Sequence, residues 1–160
     1  MAKAQKSLPK REEIAEELTW KLEDIFATDD EWDKEWQEVQ ALLPKFEAFQ
    51  GTLNDGADKV YQLLQLQDEV SDRLSKLYTY AQMRYDQDTT NSFYQAMNGK
   101  AENLITQASS KMSFITPEIL KLDEQTLEQY LKEHEDLALY KHTLDEINRQ
   151  RPHVLSEKEE

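Results

Sequence analysis

From Asp29 onward, apolar residues recur every three or four positions. Trp32, Trp36, Val39, Leu43 and Phe46 form one such series, the stripe that a helix turns toward a core. Thr28, followed three residues later by Glu31, has capping-box spacing, so this helix is predicted to begin near Asp29. Pro44 lacks a backbone donor and crowds the preceding turn, which predicts a kink or a break at Leu43. The stretch from Gly51 to Gly56 is the clearest turn, with Asn54 and Asp55 available to cap the next helix. Val60, Leu63, Leu64, Val70, Leu74, Leu77, Tyr78, Ala81 and Tyr85 then hold the helical period up to Asp86, a helix about 45 Å long. Phe93, Met97, Ala101, Leu104, Ile105, Ala108 and Met112 repeat it, predicting a second long helix that returns along the first as an antiparallel hairpin. Thr116 and Pro117 signal a short helix, with the hydroxyl as cap and the proline at the first helical position. Asp123 does likewise for a helix carrying Leu127, Tyr130 and Leu131. A last run, with Leu139, Tyr140, Leu144 and Ile147, ends before Pro152.

Two stretches depart from this period. Residues 1–17 read as a polar N-terminal arm, ordered only where Leu8 and Ile14 find partners. Leu18, Trp20 and Leu22 alternate with Thr19 and Lys21, which predicts a short extended passage, either an edge strand or an extended arm. At the other end Ser156 and Glu159 again have capping-box spacing, and the chain ends at Glu160 as if at a helix start. The expected fold is all-α: a helical bundle with a long antiparallel helix hairpin and an extended N-terminal arm. Residues 18–160 form one helical region, with no internal repeat and no low-complexity linker.

Composition narrows the partners. Nineteen Lys and Arg face thirty-three Asp and Glu, a net charge of -14, and a field of that sign repels nucleic-acid phosphates and anionic lipid headgroups. The acids are interleaved with basic residues, as on solvated helix faces. No cysteine is present, which removes disulfides, thiol catalysis and cysteine-ligated metals. The basic opening MAKAQKSLPKREEIAEEL is not followed by the apolar stretch of a secretory signal, and no stretch is long and apolar enough to cross a bilayer. The expected location is the cytoplasm.

The search for chemistry yields no catalytic, cofactor-binding or metal-binding residue. A helical zinc hydrolase needs two histidines four apart with a glutamate beside the first. The segment HEDLA starts that pattern at His134 and Glu135, but Ala138 occupies the second ligand position. His142 lies eight residues on, roughly 12 Å along a helix, too far for nitrogens that must each approach one zinc to about 2.1 Å. His134, His142 and His153 are therefore expected to be surface or capping residues. Carboxylate pairs such as Glu12 and Glu13, Glu16 and Glu17, or Asp29 and Asp30 are expected by chance among thirty-three acids, and none lies beside a nucleophile. Three scattered glycines, Gly51, Gly56 and Gly99, build no phosphate loop. The aromatic set Trp20, Trp32, Trp36, Tyr78, Tyr80, Tyr85, Phe93, Tyr94 and Phe114 offers flat apolar surface for a peptide groove, but periodic aromatics usually pack in a core.

The stretch LPKREEIAEELTWKLEDIFATDDEWDKEW, Leu8 to Trp36, resembles the opening of oligoendopeptidase F, a family of zinc endopeptidases that cut short peptides. YAQMRYDQDTTNSFYQAMNGKAENL, SFITPEILKL and the terminal RPHVLSEKEE resemble the same family in the same order. The resemblance implies a much larger, mainly helical cytoplasmic enzyme whose N-terminal helices cover one side of a channel for oligopeptides. It implies a later HExxH helix that holds the zinc, and no such motif occurs in these residues. On this view the segment is the N-terminal helical part of a metalloendopeptidase, inactive alone, with the remainder of the chain and oligopeptide substrates as its partners. The alternative is a free-standing acidic helical module that binds a protein through an aromatic stripe such as Trp32 and Trp36.

Overall fold

The computed structural model describes Pro9 and residues 13–153, and among these every regular element is a helix. The Ser156–Glu159 capping signal and Leu8 lie outside the described residues.

The first helix, α1 (Asp29–Leu42), starts as its capping box dictates. The Thr28 hydroxyl accepts from the Glu31 N–H at 3.1 Å, and the Glu31 carboxylate accepts from the Ala27 N–H at 3.1 Å. Proline changes the pitch of the chain without diverting the apolar stripe. Leu43 donates to Gln40 in the tighter three-residue pattern, and a 3-10 segment, Leu43–Phe49, continues with Leu43 and Phe46 still buried.

Gly51, at φ +75°, reverses the chain, and Gly56, at φ +146°, leads into α2 (Ala57–Gln87). The expected caps are absent here. Asn54 and Asp55 belong to a short 3-10 turn (Leu53–Asp55), and the residue at the helix start is Gly56, with no side-chain cap. The 31 residues of α2 bury Val60, Leu63, Leu64, Val70, Leu74, Leu77, Tyr80 and Ala81 along one face. Residues 88–91 connect it to α3 (Ser92–Met112), capped by Asn91, whose side-chain oxygen accepts from the Phe93 and Tyr94 N–H groups. Among the described residues the contact between α2 and α3 is the most extensive. Across this pair lies α1, tied to each helix by an indole: Trp32 donates to the Leu77 carbonyl at 2.8 Å and Trp36 to the Lys100 carbonyl at 3.3 Å.

A smaller group of helices packs near the first turns of α2. Here α4 (Ile115–Lys121) begins two residues before its expected proline start, with Phe114 at its cap position and no side-chain cap. Thr116 is inside the helix and Pro117 falls in the first turn, where a missing N–H breaks no bond. Asp123 caps α5 (Glu124–Glu133) as its spacing predicts, accepting from the Thr126 N–H at 2.8 Å. A 3-10 segment (Glu135–Tyr140) precedes α6 (Lys141–Arg149), and its three-residue pitch buries Leu137 instead of the expected Leu139, which is 81% exposed. Arg151 closes the described chain by donating to the Leu120 and Leu122 carbonyls.

The Leu18–Phe26 passage is not an edge strand. Two 3-10 turns, Glu16–Leu18 and Leu22–Asp24, flank an extended Thr19. Only Leu22 of the three alternating apolar residues is buried; Leu18 and Trp20 are 77% and 78% exposed.

Candidate functional site

The three histidines stand apart in role. His134 caps the 135–140 segment, its Nδ1 accepting from the Leu137 N–H at 3.3 Å, while Nε2 lies 3.3 Å from Asp58 and the ring stacks against Tyr61 at 4.4 Å. Both nitrogens are thus engaged in local structure. His142 and His153 are exposed. Among the described residues no three His, Cys, Asp or Glu side chains are grouped as metal ligands, and this set does not fit a zinc ion.

The carboxylate pairs likewise separate. Glu12 lies outside the described residues, while Glu16 and Glu17 are exposed in the first 3-10 turn. Asp29 is tied into a polar network that no local spacing announces: its two oxygens accept from the Tyr80 hydroxyl at 2.8 Å and the Tyr94 hydroxyl at 3.3 Å. Above these rings sits the Arg84 guanidinium, 5.0 Å from the Tyr80 centroid and 5.8 Å from that of Tyr94, donating to Glu23 at 3.0 Å. Burial pushes the Tyr80 phenol up to about 12, so it stays protonated and keeps donating to Asp29. The network fastens the 22–24 turn and the start of α1 to α2 and α3. Its partners are 51 to 65 residues apart, which is why periodicity could not find it.

A second cluster is equally nonlocal. Arg73 of α2 reaches Glu35 and Glu38 of α1 and Glu69 of its own helix, and its hydrogen bonds hold the Glu35 carboxyl below the usual carboxylate range. It is an interhelical clamp between α1 and α2.

The aromatic residues mostly fill the core. Trp32 and Tyr80 are buried, and Trp36, Tyr78, Tyr85, Tyr94 and Phe114 are half-buried. That removes the stripe through Trp32 and Trp36 as a surface for a separate protein, because Trp32 is only 1% exposed. Trp20 and Phe93 are the members of the set that face outward. Beside Trp20 open two adjoining clefts, of about 860 and 450 Å³, between the 14–21 segment and the last turns of α2. No helix among the described residues is long and apolar enough to cross a membrane.

The described part is thus a helical bundle with open clefts beside Trp20, and comparisons with known proteins show what it is similar to. The family model described as Oligopeptidase F matches residues 118–160. Oligopeptidase PepF of Bacillus subtilis is 54% identical over 153 residues, 96% of this chain and 23% of the relative. Group B oligopeptidase PepB of Streptococcus agalactiae is 37% identical, over 94% of this chain and 25% of the relative. Among solved structures, an oligoendopeptidase-F from Enterococcus faecium superposes with a TM-score of 0.73 at 34% identity, covering 82% of this chain and 26% of that one. A putative peptidase from Chlamydophila abortus superposes with a TM-score of 0.83 at 26% identity, covering 96% of this chain and 26% of that one. The chain is thus similar to part of these bacterial oligopeptidases. In particular, it matches the N-terminal part of oligoendopeptidase F, as the sequence resemblance predicts, and spans about a quarter of the length of the curated relatives.

Proposed function

We propose that this chain is the N-terminal helical portion of a longer zinc metalloendopeptidase of the oligoendopeptidase F type, one that hydrolyses short peptides. The observation that carries this reading is the 54% identity to a named oligopeptidase over nearly all of this chain but less than a quarter of the relative. Residues 18–160 form the helical region and residues 1–17 its arm. The segment walls one side of the peptide channel and supplies no reacting group, a reading supported by the commitment of His134 to a cap, Asp29 to two tyrosine hydroxyls and Glu35 to an ion pair. Zinc would be held outside these residues, by an HExxH helix in the remainder of the chain, and would there supply a Lewis acid and an activated water. Oligopeptides are the substrates, and the enzyme works in the cytoplasm.

The reading is tested on the gene and on the isolated segment. The open reading frame is expected to continue past Glu160 into an HExxH motif, and calorimetry on the 160-residue chain should show no stoichiometric zinc binding. A stop codon directly after Glu160, or a tightly bound zinc in the segment, would overturn it.

A further inference from the structure

We propose that Leu18, Trp20 and the Met83–Gln87 end of α2 form the seat on which the remainder of the longer polypeptide packs, an inference that rests on the reading just given. The extended backbone at Thr19 places Leu18 and Trp20 on the same side of the chain, and Thr19 itself is half-buried. Two large apolar side chains, each more than three-quarters exposed, therefore stand together beside the open clefts of about 860 and 450 Å³. Elsewhere the large exposed apolar residues Phe93 and Leu139 lie on separate elements. A paired apolar surface beside a cleft marks an interface, whereas apolar residues scattered singly over a surface do not.

The occupant is set by length and geometry. The Bacillus relative is about four times as long as the match, which leaves about 500 residues for the rest of the longer chain. That many residues fold to a body with a radius of gyration of about 23 Å, hence about 60 Å across. The described chain ends beside α4, where Arg151 holds the Leu120 and Leu122 carbonyls and Glu118 accepts from the Gly51 N–H at 2.7 Å, close to the start of α2. Trp20 lies against the opposite end of α2, about 45 Å away by the rise of its 31 residues. A body about 60 Å across spans that separation. It can take up the chain beside α4 and still cover Trp20, clamping α2 at both ends.

The test uses cysteine, which this segment lacks. Leu18→Cys and Trp20→Cys are introduced separately into the longer polypeptide, and alkylation of the tagged peptide is followed by mass spectrometry in buffer and in denaturant. Both sites should react at least about tenfold more slowly in the native protein. Native rates within about twofold of the denatured ones would overturn the inference. The protection should survive deletion of residues 1–12 and should not vary with protein concentration. Loss on deletion would assign the cover to the chain's own N-terminus, and concentration dependence would assign it to a second copy; either outcome overturns the proposal. A reading frame that stops after Glu160 defeats the functional reading and this inference together. A freely reacting cysteine in a longer, active peptidase defeats this inference alone.

Discussion

Trp32 and Trp20 show how differently two indoles in one chain can be used. The Trp32 ring is sealed in the core and its N–H reaches across to α2, so Trp32→Phe forfeits a buried hydrogen bond and some packing volume. Urea denaturation should show a loss of about 1–3 kcal/mol for this variant. Trp20→Ala in the same 160-residue chain should change stability by less than about 0.5 kcal/mol, since its ring touches mainly solvent. At Arg73 the charge decides. Glu35 is held in its ionised form below its ordinary value near 4.5, so the stability it contributes is complete above that pH and drains away as pH falls through the depressed value. Arg73→Met leaves Glu35, Glu38 and Glu69 facing one another at neutral pH. Discounted for the half-exposed Glu38 and Glu69, the cost at pH 7 should be about 1–2 kcal/mol. The gap to the parent protein should narrow as pH drops below about 4.5, as thermal melts across pH would register.

At the scale of elements, local chemistry specified some helix starts and not others, and capping variants separate the two. Thr28→Ala and Asn91→Ala each remove an oxygen that accepts free N–H groups at a helix start and should each cost about 1 kcal/mol in chemical denaturation. Thr116→Ala should cost less than about 0.5 kcal/mol, because the helix begins before it and its hydroxyl caps nothing. The reason the Thr116–Pro117 signal misled is that the chain is already helical through Met112 and resumes at Ile115, so packing of Ile115 and Ile119 outweighs a local start signal. The long stripes from Trp32 to Phe46, Val60 to Tyr85 and Met97 to Met112 were legible because a sustained period leaves few alternatives. The alternation at Leu18, Trp20 and Leu22 was misleading in a different way. Period two is meaningful only when one face is buried, and here the chain turns through 3-10 geometry and leaves two of the three residues outside. Leu139 and Leu137 exchanged roles because the 135–140 segment has a three-residue pitch that a 3.6 period does not describe. Neither polar network was legible, since Asp29, Tyr80, Tyr94 and Arg84 meet only once the helices pack.

At the scale of the whole molecule, charge and architecture point the same way. A net charge of -14, carried by interleaved acids, keeps a helical surface solvated, while among the described residues Leu18 and Trp20 stand exposed together beside the end of α2, and Phe93 and Leu139 are exposed singly on other elements. The described part has its own core, running from Leu22 to Ile147, and among its residues no three His, Cys, Asp or Glu side chains group as metal ligands. The channel wall proposed for this segment requires shape and rigidity more than reactive groups, and the clamps at Arg73 and Arg84 tie its elements together. The most direct test of the account is cleavage of a quenched oligopeptide by the longer polypeptide and, in parallel, by the 160-residue chain, each before and after chelation and with zinc restored. The account predicts chelator-sensitive, zinc-restored cleavage by the longer polypeptide and none by the segment. Cleavage by the segment itself, or an inert longer polypeptide with its zinc in place, would contradict it.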